Sequence, residues 1–189
     1  MNRTAIAKLI IIAVLVVLTV LGACGKGTSG LVQNSEAKSS SGWTMKISNA
    51  TQPGTVKVKE RSVYGGTQPE KDEASPANQK WVLLSTEVTP PAGGASLPAK
   101  QIKLVDGANN YPALAIAGAP DKGEPALLYL KDSAGLAQVN ASGELVWAIM
   151  PNDKTREIDI VFQKAGAEKM FFLFAVPSAA KNLTLQISP

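Results

Sequence analysis

Residues 78–89 read Asn-Gln-Lys-Trp-Val-Leu-Leu-Ser-Thr-Glu-Val-Thr, nearly continuously apolar from Trp81 to Val88 and rich in β-forming side chains. Such a run predicts a central strand, buried on both faces. Toward the N-terminus, Trp43, Met45 and Ile47 alternate with Thr44, Lys46 and Ser48, and Val56 and Val58 are interleaved with Lys57 and Lys59. A period of two places one face inward and leaves the other wet. Toward the C-terminus, Ile102 and Leu104 alternate before the turn residues Asp106-Gly107 and Asn109-Asn110. Further strands are predicted at Leu145–Met150, Ile158–Phe162, Met170–Val176 and Leu183–Ile187. Proline and glycine punctuate the gaps, as at Gln52-Pro53-Gly54 and Pro90-Pro91-Ala92-Gly93-Gly94.

No segment sustains a helical period over three turns. The best helical candidate is Glu124–Ala137, where Pro125 suits a first turn and Leu127, Leu130 and Ala134 share a face; Leu127-Leu-Tyr-Leu130 suits a strand equally well. Two successive β-hairpins are expected, Leu145–Pro151 with Ile158–Phe162 and Phe171–Pro177 with Leu183–Ile187. Many short strands separated by turn signals point to one mainly β domain over residues 43–189, an antiparallel sandwich or barrel.

Ahead of this domain, Arg3 and Lys8 form a basic head and Leu9–Ala23 is apolar except for Thr19, the pattern of a secretory signal peptide over residues 1–23. Fifteen helical residues span only ~22 Å, short of the ~30 Å hydrocarbon core of a bilayer. The segment ends Leu21-Gly22-Ala23-Cys24, which resembles the lipobox of bacterial lipoproteins. That resemblance implies lipidation of Cys24, cleavage before it and anchoring to the outer face of the cell membrane. The thiol would take a diacylglyceryl group, and two acyl chains give the stable anchoring that one chain does not. Residues 24–42 are rich in Gly and Ser and are expected to be a lipidated Cys followed by a flexible linker.

Composition removes several functions. The chain of 189 residues has no His and one Cys, so Ser-His and Cys-His catalysis, His-ligated metals and an intrachain disulfide are excluded. Its 19 basic residues fall to 17 when Arg3 and Lys8 leave with the signal, against 15 acidic, a mature charge of +2. With no run of five like charges, nucleic acid is not an expected partner.

The remaining chemical motifs read as structure. Ser35–Lys38 and Ser178–Lys181 have the Ser-x-x-Lys spacing of serine acyl-enzymes, which is meaningful only on a helix. Glu157 and Asp159 share a strand face, and Asp106 with Asn109 and Asn110 suits a turn better than a calcium site. Trp43, Trp81 and Trp147 occupy apolar strand phases and are expected in the core rather than on a sugar platform. Lys57, Lys59 and Arg61 read as a charged edge that discourages sheet-to-sheet pairing. No catalytic residues, metal ligands or cofactors are assigned.

The longest stretches without strand pattern are 65–79 and 107–123. The first carries Glu70, Lys71, Asp72 and Glu73 between Pro69 and Pro76, a charged loop expected to tolerate replacement and to be a candidate partner-binding site.

Gly42-Trp43 opening an alternating strand, Asn78–Thr89, Ile102–Tyr111, Phe174-Ala-Val-Pro177 and Leu183-Thr-Leu185 occur in an order that resembles the immunoglobulin-like domain of unknown function common in Gram-positive lipoproteins and related to a secreted mycobacterial antigen. In place of that family's Asn after the central strand stands Thr89-Pro90-Pro91, and Pro151-Asn152-Asp153 only approximates its Pro-Gly-Glu. The resemblance implies an immunoglobulin-like β-sandwich that is extracytoplasmic and non-enzymatic. Its role would be an interaction module for an envelope protein or polymer, with a soluble-ligand carrier or sensor as the alternative.

Overall fold

The computed structural model describes residues 30–59, 69–92, 96–119, 123–130, 135–139, 145–148, 158–162 and 166–188. In chain order the strands are β1 (Glu36–Lys38), β2 (Thr44–Thr51), β3 (Thr55–Lys59), β4 (Glu70–Ala74) and β5 (Gln79–Thr89). Then come β6 (Ser96–Pro98), β7 (Ile102–Asp106), β8 (Asn109–Pro112), β9 (Ala115–Gly118) and β10 (Leu127–Tyr129). The last five are β11 (Gly135–Val139), β12 (Leu145–Ala148), β13 (Ile158–Phe162), β14 (Glu168–Pro177) and β15 (Thr184–Ile187). One 3-10 turn, Ala99–Gln101, joins β6 to β7.

These strands form an eight-stranded sheet in the order β1-β2-β5-β14-β9-β10-β3-β4, a four-stranded sheet β12-β11-β13-β6 and a three-stranded sheet β15-β7-β8. Antiparallel pairing dominates, with β3–β10 and β11–β13 parallel. The expected central strand is β5, paired along its length with β14 on one side and with β2 on the other.

The alternating faces explain the packing. Val82, Leu84 and Val88 of β5, with Met170, Phe172, Phe174 and Val176 of β14, turn one way into the main core. There they meet Ile102 and Leu104 of β7, Leu185 and Ile187 of β15, Leu97 of β6 and Ile160 of β13, all buried. Sheets packed face to face around one such layer make a mainly β sandwich. The opposite phase, Trp81 of β5 and Leu173 of β14, joins Ala115, Ala117, Leu127, Val56 and Val58 in a second apolar cluster. The β10-β3-β4 end of the long sheet therefore curls back over the outer face of β5, β14 and β9, as strongly twisted sheets of this width do.

Three expectations change. Residues 30–42 are not a flexible linker: Val32 and Ala37 are buried and β1 pairs with β2. With Leu31, Val32 and Ala37 its only apolar members, the segment has the composition of a tether, but backbone pairing and the side chain of Asn34 hold it in place. The Glu70–Glu73 stretch is strand β4, not a loop; it has no apolar residue to betray a strand because, among the described residues, it is an edge paired only with β3. The 107–123 stretch contains β8 and β9. Glu124–Ala137, which the sequence leaves open between helix and strand, contributes β10 and the start of β11, so its described residues follow the strand alternative.

Neither expected hairpin pairs with itself. β12 pairs with β11, and β13 lies parallel to β11 and antiparallel to β6. β14 pairs with β5 and β9, whereas β15 crosses to the other sheet to pair with β7.

The β7–β8 connection is a two-residue hairpin turn, with Asp106 opposite Asn109. Gly107 has φ +60° and nothing within 4 Å of an added Cβ, so its requirement is conformational rather than steric. Gly at the first of two turn residues suits the primed turns that match strand twist. Gly107→Val should therefore cost about 1 to 3 kcal/mol in chemical denaturation without altering the circular dichroism spectrum.

Candidate functional site

The point at which the chain enters the sandwich is built with unusual care. Val32 bridges Leu183 in parallel, and the amide of Gln33 donates to the carbonyl of Leu183 at 2.8 Å. Asn34 then acts as a strand residue through its side chain. Its Oδ1 accepts the Leu185 N–H at 2.8 Å, and its Nδ2 donates to the Leu185 carbonyl at 2.9 Å and to the Glu36 carbonyl at 2.8 Å. Leu185 lies on β15, the edge of the three-stranded sheet, so one side chain satisfies the two backbone groups that the edge residue turns outward. Two residues later the chain pairs as β1 with the eight-stranded sheet. Residues 32–38 thus stitch the two layers of the sandwich together.

Beyond this corner, the outer face of the long sheet carries a row of alternating charge: Glu36 is opposite Lys46, Lys46 opposite Glu87 and Glu87 opposite Lys169. Lys38 Nζ also lies 2.9 Å from Glu36 Oε1. Hydrogen bonding to that ammonium holds the Glu36 carboxyl below the usual carboxylate range. Lys169 stands 5.5 Å over the ring of half-buried Phe171. Opposite charges across neighbouring strands stabilise this register modestly, ~0.2 to 1 kcal/mol per pair.

A cleft of about 160 Å³ opens beside the β2–β3 connection, lined by Thr51, Pro53, Val56, Leu83, Pro125 and Leu127 with Lys57 and Glu124 at its polar side. Ligand pockets for drug-sized molecules run to ~300 to 1,000 Å³. This cleft does not supply the concave chamber that the carrier alternative requires.

The residues singled out in the sequence are dispersed. In β4, Glu70 and Asp72 are engaged by Lys59 at 3.0 Å and Lys57 at 3.5 Å, and the Glu73 carbonyl accepts the Trp81 indole N–H at 3.4 Å. The Glu70–Glu73 segment is therefore a charged strand at the sheet edge that also accepts the Trp81 indole N–H. Arg61 lies outside the described residues. Trp43 and Trp81 are buried, Trp43 with its ring 5.5 Å from that of Phe162, so neither presents a sugar-binding platform. The side chain of Trp147 lies outside the described residues.

Ser35–Lys38 runs into a strand and Ser178–Lys181 lies in the β14–β15 connection, so neither has the helical geometry its spacing would need. Asp106 and Asn109 form the hairpin turn, with Asn109 Nδ2 directed at the Asp106 carbonyl at 3.5 Å. Asp159 is half-buried on β13, and Glu157 lies outside the described residues. Among the described residues no three His, Cys, Asp or Glu side chains come together as metal ligands. Leu21, Gly22, Ala23 and Cys24 also lie outside the described residues.

Sequence reasoning missed Asn34. An Asn in a Gly/Ser-rich stretch carries no signal of its own; only its position two residues after buried Val32 hints at an ordered entry strand.

No family model, curated protein or solved structure matches the chain. Class and function therefore rest on the fold, which is a mainly β sandwich, and on the chemistry of the residues.

Proposed function

We propose that the protein is a membrane-tethered lipoprotein of the extracytoplasmic face, a non-catalytic sandwich module that binds a protein or polymer of the cell envelope. The observation that carries this reading is Leu21-Gly22-Ala23-Cys24 at the end of an apolar segment too short to span a bilayer. The thiol of Cys24 takes the lipid, and cleavage before it frees the amine for acylation. The sandwich also follows Cys24 closely in sequence: Val32, eight residues on, is buried in its core. The interaction role is supported by a scaffold whose strands are committed to packing and whose outer sheet face and connections are exposed.

Cys24→Ser tests the anchor. The variant should accumulate as a precursor that retains residues 1–23 and carries no lipid adduct, read by mass spectrometry of the membrane and soluble fractions. The same adduct in the absence of Cys24 would overturn the assignment.

A further inference from the structure

We infer that the end of the sandwich formed by the Pro76–Gln79 connection, the Gly107-Ala108 turn and the Ser178–Leu183 connection faces the phospholipid headgroups, and that the opposite end, around Ser40, is the one presented outward. This rests on the acylation of Cys24 proposed above, and it adds an orientation which that proposal alone does not contain.

Chain length sets the first constraint. Eight peptide steps separate Cys24 from Val32, and at ~3.3 to 3.6 Å per step their Cα atoms can be no more than about 29 Å apart whatever path the chain takes. Val32 is not free to move away from the domain, because it is buried, bridges Leu183 and is followed at once by the Asn34 contacts to Leu185. Had residues 24–42 been a loose linker, as composition implied, any face of the domain could have met the membrane. With the tether shortened to these eight steps and leaving the domain beside Leu183, the anchor draws the end next to Leu183 toward the lipid.

Register identifies what else lies at that end. β5 begins there at Gln79, opposite Pro177, the last residue of β14. Thr184 at the start of β15 faces Val105, next to the β7–β8 turn. Ser178 donates its amide to the Asn78 carbonyl at 3.1 Å, and Lys80 Nζ donates to the Ala180 carbonyl at 2.9 Å, so the two connections are joined. Asn78, Ser178, Ala179 and Asn182 are exposed and uncharged, and exposed Lys181 adds one cation. Asp106 is half-buried in its turn, and Glu73 near the end of β4 is half-buried beside Trp81. With its exposed connections uncharged apart from Lys181, such a surface meets little repulsion from anionic headgroups. The other end is reached along β5, whose span from Gln79 to Thr89 is about 33 Å. There β1 leads through the Ser39–Gly42 turn into β2, with Lys38 opposite Thr44 and Thr44 opposite Thr89.

The test uses the full-length acylated protein, purified from membranes and reconstituted into phosphatidylcholine vesicles containing a nickel-chelating headgroup lipid. Cys24 is the only cysteine and its thiol is consumed by lipid, so Ala179→Cys and Ser40→Cys each introduce one reactive thiol for a nitroxide label. Both sites are exposed. The relaxation enhancement by nickel lipid should be at least about threefold greater at residue 179 than at residue 40, given the ~29 Å tether and the ~33 Å strand. Inserting about 20 Gly-Ser residues after Gly25 should abolish the difference, because a coil of that length frees the domain to turn.

Equal or reversed enhancement in protein whose mass shows the lipid adduct would overturn the orientation and leave the anchor standing. A difference that survives the insertion would overturn the tether as its cause. Protein lacking the adduct would overturn both readings.

Discussion

A chain starting at Trp43 should melt about 15 °C below one starting at Gly30. The truncation removes thirteen residues that composition alone would assign to a linker, so a linker should be lost with no cost. Instead the structure loses the buried side chain of Val32, the β1–β2 pairing and the Asn34 contacts to Leu185. Burying a valine contributes ~1.5 to 3 kcal/mol, and each hydrogen bond contributes ~0.5 to 1.5 kcal/mol net. The sum, about 4 to 6 kcal/mol, is a large part of the ~5 to 15 kcal/mol that stabilises a domain. Asn34→Ala in the longer chain isolates the side-chain contribution and should cost about 2 kcal/mol, since it leaves both Leu185 backbone groups without that partner. Equal melting temperatures for the two chains would show that residues 30–42 do not pack.

The second large effect is expected at Trp81. Its indole is buried in the cluster between the long sheet and its own curled end, and its N–H reaches the Glu73 carbonyl of β4. Trp81→Ala should destabilise by about 3 to 5 kcal/mol, the range for emptying a large aromatic site. Trp81→Phe should cost less, since it keeps most of the apolar contact and gives up the hydrogen bond. Replacing Pro69–Pro76 with a short Gly-Ser turn attacks the same place from outside. It deletes β4, removes the partners of Lys57 and Lys59 and uncovers the edge of β3. A clear fall in melting temperature and an increased tendency to aggregate are expected, because an unguarded strand edge is a template for pairing. A variant as stable as the parent would mean that Glu70–Glu73 is the loop its composition resembles.

These two regions mark where the sequence stops being legible. Trp81–Val88 announces itself because a strand buried on both faces needs apolar residues at both phases, and Trp43–Ile47 does so through alternation. Glu70–Ala74 gives no such sign: a largely exposed edge strand can be built from Glu, Lys and Asp, with its order coming from the β3 ladder and from charge pairing. Residues 32–38 fail for a related reason. Their order comes from backbone groups and one amide side chain, which hydropathy does not register.

Pairing was less legible still. Phe171–Pro177 and Leu183–Ile187 are neighbours in sequence and look like a hairpin, yet β14 pairs with β5, about ninety residues earlier, and β15 with β7. Which strands pair is decided by how two faces of one sheet are covered, a property of the whole chain rather than of any short window. The proposed lipid attachment rests on a different kind of signal, the residues Leu21-Gly22-Ala23-Cys24 themselves, which need no fold to be read.

The account is tested most directly by the mass of the N-terminal peptide of the protein isolated from its own membranes. It predicts a chain that begins at Cys24 and carries diacylglyceryl on the thiol and an acyl group on the amine or, in hosts that omit the second step, diacylglyceryl alone. A peptide that begins at Met1, or one in which Cys24 is an unmodified thiol, would contradict it.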